Sequence, residues 1–195
     1  SDKINSDINF VIDKNLDNEE YKIEIDKNIS VVGGSYNAIT MAKSSLIQII
    51  KLKNNTLILP KSKIYDRPDS SYRGLMIDLS RMWHNLESIR NVIDLASLYK
   101  IRYLQLHLSD DQAFVFPTDS FPNLPTPDRP YSKKDFRKLV EYAKVRGVTI
   151  IPEIDVPGHS RQFIETYPEI FDVDNGVKKS NVINIANEKV YKALD

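Results

Sequence analysis

Gly74-Leu75-Met76-Ile77-Asp78-Leu79 is a nearly continuous apolar run, the pattern expected of a strand covered on both faces. Downstream of it, Leu86, Ile89, Ile93 and Ala96 fall three and four residues apart and predict a helix. Tyr103-Leu104-Gln105-Leu106-His107-Leu108 reads as the next strand, followed by a loop holding Pro117, Pro122, Pro125, Pro127 and Pro130. Ser132, with Asp135 three residues on, resembles a capping box, and Phe136, Leu139, Val140 and Ala143 line the helix it opens. Gly147 stops that helix, and Val148-Thr149-Ile150-Ile151-Pro152-Glu153-Ile154 is a third strand. Strand, helix, strand, helix, strand in this order implies a parallel sheet with helices outside. The fold class is therefore α/β, either a (β/α)8 barrel or a doubly wound sheet.

Toward the N-terminus the style of the sequence changes near Arg67-Pro68. Ile8–Ile12, Tyr21–Ile25 and Ile29–Val32 alternate as half-buried strands do. From Ser35, the spacing of Ile39, Ala42, Leu46 and Ile49 predicts one helix face. Leu57-Ile58-Leu59 resumes a strand, and Pro60 and Pro68 punctuate the exit. The reading is a small α+β domain over residues 1–66, then a second domain over 67–195. Gly33-Gly34 lacks the GxGxxG and GxxxxGK[ST] patterns and reads as a turn. Lys51-Leu52-Lys53 is expected to be a solvated helix end, where cations suit the dipole.

Composition excludes more than it identifies. The 27 Lys+Arg balance the 27 Asp+Glu among 195 residues, which argues against a nucleic-acid binder working through bulk electrostatics. No apolar run is long enough for a membrane span. The start, SDKINSDINF, has no apolar signal core, so any secretion signal is expected to have been removed already. Zero cysteines leave no thiolate metal site, disulfide or cysteine nucleophile.

Polar residues crowd the C-terminal end of each predicted parallel strand. Asp78, Ser80 and Arg81 follow the first; His107, Asp110, Asp111 and Gln112 the second; Glu153, Asp155 and His159 the third. Active sites of α/β barrels and open α/β sheets are built at that end. Each residue also has a plainer reading. Asp110-Asp111 could cap a turn, and His159 could be a loop histidine bonded to backbone. Trp83 and His84 could stack on a sugar, or pack down on their own scaffold. Asp110, Asp155 and His159 would also serve as ligands in a metal-dependent hydrolase.

Arg73-Gly74-Leu75-Met76-Ile77-Asp78-Leu79-Ser80-Arg81, His107-Leu108-Ser109-Asp110-Asp111-Gln112 and Ile151-Pro152-Glu153-Ile154-Asp155-Val156-Pro157-Gly158-His159-Ser160 resemble the signature segments of family 20 glycoside hydrolases, the β-N-acetylhexosaminidases. The resemblance covers about residues 66–195, and the preceding α+β unit resembles the small domain that family often carries before its barrel. It implies the first three βα units of a truncated TIM barrel, with its remainder supplied by further chain or a second copy. It implies that Arg73 holds the sugar, that Asp110 pairs with His159, and that His107 and Asp155 line the same pocket. It implies no cofactor and a periplasmic or extracellular location. The partner is a glycan bearing N-acetylhexosamine, whose own 2-acetamido oxygen attacks C1. In the family an Asp orients that group and an adjacent Glu protonates the leaving oxygen. No Asp-Glu dipeptide occurs in this sequence, so the chain alone is expected to be inactive. Met82 stands where a histidine is common, and Gln105-Leu106 replace the usual His-Trp. A non-catalytic glycan-binding domain is a third reading.

Overall fold

A computed structural model describes residues 8–173 and 180–195. Strands β1 (Ile8–Ile12), β2 (Tyr21–Ile25), β3 (Ile29–Gly33) and β6 (Ser62–Asp66) form one sheet in the order β1-β3-β2-β6. β1 runs parallel to β3, and β2 antiparallel to both β3 and β6. Alternation decides which face is buried: Tyr21, Ile23 and Ile25 point into the core while Lys22 and Glu24 stay out. Helix α1 (Tyr36–Ile49) closes that core with Ala38, Met41, Ala42 and Leu46. Ser35 caps the helix, its hydroxyl accepting the N–H groups of Asn37 and Ala38, which leaves two fewer orphan donors at the N-terminus.

Two expectations for this region need correction. Lys51–Lys53 is not a helix end but strand β4, because Ile50 leaves the helix with extended angles. It pairs with β5 (Thr56–Ile58) in an isolated, fully exposed hairpin. Asn54 and Asn55 turn it, both with positive φ (50° and 58°), the backbone of a type I′ turn that asparagine tolerates. The strand that completes the sheet is instead β6. Its one large aliphatic residue is Ile64, a weak signal between two prolines.

Strands β7 (Gly74–Asp78), β8 (Tyr103–His107) and β9 (Thr149–Glu153) form a second sheet in the order β7-β8-β9, joined through α2 (Leu86–Leu98) and α3 (Lys133–Lys144). Its pairing is parallel. The Arg73 carbonyl accepts from Arg102 and Tyr103 at one end, and Leu79 N–H donates to the His107 carbonyl at the other, so both residue numbers rise together. The same holds between β8 and β9, where Thr149 N–H meets the Arg102 carbonyl and Leu108 N–H the Glu153 carbonyl. Central β8 buries Leu104 and Leu106 fully, while Leu75 and Met76 on β7 remain exposed. Short helices α4 (Arg161–Thr166), α5 (Pro168–Phe171) and α6 (Glu188–Leu194) follow, around a cluster that includes Phe114, Phe163 and Phe171.

The caps explain where α3 begins and ends. Ser132 and Asp135 bond reciprocally, Ser132 N–H to Asp135 Oδ2 at 2.9 Å and Asp135 N–H to Ser132 Oγ at 3.1 Å. Gly147 takes φ +72°, and a Cβ there would sit 2.1 Å from Thr40 Oγ1. Packing divides the chain into two compact units that are not contiguous in sequence. One holds residues up to Gly74 with Asn91–Tyr103 and Tyr142–Thr149; the other holds Leu75–Arg90, Leu104–Glu141 and Ile150–Asp195. Among the described residues no helix is long and apolar enough to cross a membrane.

Candidate active site

The second unit carries the C-terminal ends of β7, β8 and β9. Asp78, the last residue of β7, accepts the N–H groups of Ser80 and Arg81 on Oδ1 at 3.0 and 2.9 Å. That turn folds Arg81 back, so that its guanidinium meets Asp78 Oδ2 and Asp110 Oδ2, each at 2.5 Å. After β8 the chain makes a tight loop. Ser109 bridges Phe114, and Asp110 N–H donates to the Ala113 carbonyl at 2.9 Å. The loop after β9 is tied to it by Asp155 N–H donating to Ser109 Oγ at 2.8 Å.

Asp110 is the hub. Its side chain is 2% exposed, a position a carboxylate holds only when its charge is met. Oδ2 receives Arg81 and His107 Nε2 (2.9 Å); Oδ1 receives the Asp111 N–H (2.7 Å) and faces His159 Nδ1 at 3.3 Å. His107 reaches a second carboxylate through Nδ1, at 2.6 Å from Glu153 Oε1. Carboxylates on both ring nitrogens call for both to be protonated. Burial opposes that charge, but the bonds to Asp110 and Glu153 outweigh it and hold His107 above the ordinary histidine range. Burial likewise works against ionised Asp110, yet His107, the Asp111 N–H, His159 and Arg81 keep its carboxyl below the usual range. Glu153 is held low first by the Gln105 amide, against burial, and then by His107.

His159 differs from its partners. It is about half exposed, and its φ of +54° lies where side chains are uncommon and the backbone is strained. Asp111 supports that loop, accepting the Arg161 N–H at 3.3 Å and Asn181 Nδ2 at 3.1 Å. The result is a buried, charge-balanced carboxylate presenting one imidazole to solvent.

Of the residues expected at the site, His107, Asp110 and His159 lie together. Arg73, expected to hold the sugar, belongs to the other compact unit. It precedes β7 at that strand's N-terminal end. Its guanidinium is spent on the Lys100 carbonyl (2.9 Å), the Ser70 carbonyl (2.6 Å) and Glu19 (2.9 Å). Asp155 contributes backbone, through its N–H and its carbonyl. Arg81 and Glu153, noted only as strand-end residues, turn out to contact Asp110 and His107. The signal that could have found them is register, since each sits at its strand's C-terminal end beside the neighbours named above. Trp83 lies flat on Tyr131 with ring centroids 5.8 Å apart, which is the scaffold-packing alternative.

The metal reading is not carried by this geometry. The side chains close enough to share an ion are Asp110, Asp111 and His159, without Asp155. Asp110 already faces Arg81 and His107, so its oxygens are committed to hydrogen-bond donors. Such a donor set fits a hydrogen-bonded relay better than a metal.

Known proteins agree with the motifs. The profile of the glycosyl hydrolase family 20 catalytic domain matches residues 70–195. A beta-hexosaminidase of Vibrio furnissii is 30% identical over 97% of this chain, which covers 36% of that protein. A chitooligosaccharidolytic beta-N-acetylglucosaminidase of Bombyx mori is 34% identical over 68% of the chain and 24% of its own length. The chain thus spans about a third or less of these curated relatives. Among solved structures, a beta-N-acetylhexosaminidase from Bacteroides fragilis superposes with a TM-score of 0.89 at 27% identity, over 100% of this chain and 42% of that one. A GH20 exo beta-N-acetylglucosaminidase from Vibrio harveyi gives 0.83 at 29% identity, over 95% and 34%. With its strand-end motifs converging on Asp110 and its profile matched over most of its length, the chain belongs to glycosyl hydrolase family 20.

Proposed function

We propose that the chain is the N-terminal part of a β-N-acetylhexosaminidase that removes terminal N-acetylhexosamine from glycans by substrate-assisted, retaining catalysis. The observation that carries this reading is the Asp110 hub, which joins His107, Arg81 and His159 at the ends of three parallel strands. In the reaction the substrate's acetamido oxygen attacks C1 while a carboxylic acid protonates the leaving oxygen. Asp110 holds the His159 imidazole in one orientation, and His159 offers that acid a hydrogen bond. Arg81, at the right end of β7, takes the sugar-anchoring role first expected of Arg73; a guanidinium fork suits paired hydroxyls. His107 supports Asp110, and Asp155 shapes the loop.

The three strands are the first of a (β/α)8 barrel, preceded by the small α+β domain of residues 1–66. Exposed Leu75 and Met76 are then inner or edge positions that further strands cover. The Asp-Glu pair that would orient the acetamido group and donate the proton is not among these residues, so the chain alone is inactive. A periplasmic or extracellular location suits an enzyme that trims glycans.

Hydrolysis of a chromogenic N-acetylglucosaminide tests this. The purified chain should give no turnover beyond buffer, and the chain extended by a segment carrying an Asp-Glu pair should give saturable turnover. Turnover by the chain alone overturns the incomplete-site reading. An extended protein that binds the sugar without hydrolysing it would point to the glycan-binding alternative, and stoichiometric zinc or manganese to the metal-dependent one.

A further inference from the structure

Gln105 has no part in the chemistry above, yet it opens a continuous line of polar side chains. Gln105 and His107 lie two apart on β8 and so share a face. The Gln105 amide donates to Glu153 Oε2, while Glu153 Oε1 lies 2.6 Å from His107 Nδ1. His107 Nε2 reaches Asp110 Oδ2 at 2.9 Å, and Asp110 Oδ1 faces His159 Nδ1 at 3.3 Å. We propose that Gln105 is a positioning residue, whose amide fixes the Glu153 carboxylate on His107 and thereby leaves one defined Asp110 oxygen for His159.

The chemistry of the side chain supports this. A glutamine –NH2 donates at every pH, whereas an imidazole at that position donates from one tautomer and gains charge near pH 6.5. With Gln105, the line from β9 to His159 contains a single embedded imidazole. The charges around it are accounted for. His107 faces Asp110 from the loop after β8, Glu153 from β9 and Asp78 from β7; Glu153 faces Gln105, His107 and, repulsively, Asp78. Arg81 sits on Asp110 from the loop after β7. The depressed Glu153 carboxyl, with Gln105 as its leading cause, and the raised His107 agree with a donor aimed at an ionised carboxylate.

The consequence for catalysis rests on the hexosaminidase reading; the test does not. The 195-residue chain has three histidines, so imidazole 15N and glutamate carboxyl 13C titrations by NMR can follow His107 and Glu153, with His84 as an internal control. In Gln105→Leu the Glu153 midpoint should rise by about one pH unit for loss of a hydrogen bond to its charged form. The His107 midpoint should fall, because one of its two acceptors is no longer held, and His84 should not move. Titrations of Glu153 and His107 identical to wild type would overturn the proposal. If His84 shows that Gln105→Leu disturbs the fold, Gln105→His decides. A fourth imidazole whose titration is coupled to Glu153 supports the proposal, and one titrating independently of Glu153 overturns it. Absence of hydrolysis by an extended protein would remove the hexosaminidase reading and leave these titrations as they are.

Discussion

Each compact unit holds an arginine–carboxylate cluster, and the two use similar groups to opposite ends. In the first unit Glu19 takes Arg73 at 2.9 Å and Arg102 at 2.5 Å. Both arginines also donate to backbone carbonyls, Arg73 to those of Lys100 and Ser70, Arg102 to that of Gly147. In the second unit Asp110 takes Arg81 and His107, then turns its other oxygen to half-exposed His159. The first cluster ends on backbone carbonyls. The second ends on a side chain that solvent can reach. What separates a structural ion cluster from a functional one here is where the last hydrogen bond goes, not the residue types.

The largest expected effect lies in the second cluster. In an extended protein with hydrolase activity, Asp110→Asn should cut kcat/KM by roughly 10²–10⁴, the range for losing positioned proton transfer, with an unchanged circular dichroism spectrum. Equal activity of the variant and the parent would erase the distinction between the clusters. Glu19→Ala should act the other way, on stability, by about 3 kcal/mol, since two largely buried guanidinium groups lose their counter-charge. Urea unfolding of the chain measures it, and an unchanged midpoint would show that backbone carbonyls suffice for Arg73 and Arg102.

Arg81→Lys and Arg73→Lys form a sharper pair. The first should lower kcat/KM about tenfold, because lysine has no planar fork; the second should leave kcat/KM within about twofold, since Arg73 contacts only its own scaffold. Reversal of that order in steady-state kinetics would return the sugar-anchoring role to Arg73.

Stability against pH separates the clusters again. Asp110 and Glu153 have lowered carboxyl values, so their contribution is present above about pH 4.3 and is lost as pH falls through their folded values. His107 is raised, so its contribution is complete below about pH 6.5 and is lost as pH rises through its folded value. Thermal unfolding should therefore show a plateau between these limits, and His107→Gln should flatten the alkaline fall. The smallest effect serves as a control outside both clusters: Ser132→Ala should cost about 1 kcal/mol through the cap of α3 and leave kinetics alone.

How much of this was legible depended on the kind of signal. The first parallel strand was written in a nearly continuous apolar run, the next two in apolar residues broken by a few polar ones, and α3 was bounded by a capping pair and a glycine. Polar residues after each strand marked the functional end, which placed Asp110, His107 and His159. β6 was hidden because Ile64 is its one large aliphatic residue, and β4 because it buries nothing, although its hairpin partner β5 overlaps the strand expected at Leu57-Ile58-Leu59. Arg73 and Arg81 occur in one motif eight positions apart, and motif membership alone could not say which end of the strand each would occupy. Nor could spacing reveal that Glu153 and Gln105 act on His107, since that contact joins neighbouring strands across 46 and 48 residues of chain.

Gly147 bears on how this sequence can change over generations. Any side chain there meets two obstacles, the Thr40 hydroxyl and a backbone in the left-handed region. Shortening position 40 lifts only the first. The second restricts later replacements to residues such as asparagine that tolerate positive φ. Positions 40 and 147, far apart in the chain, are therefore coupled, so that what one can become depends on what the other is.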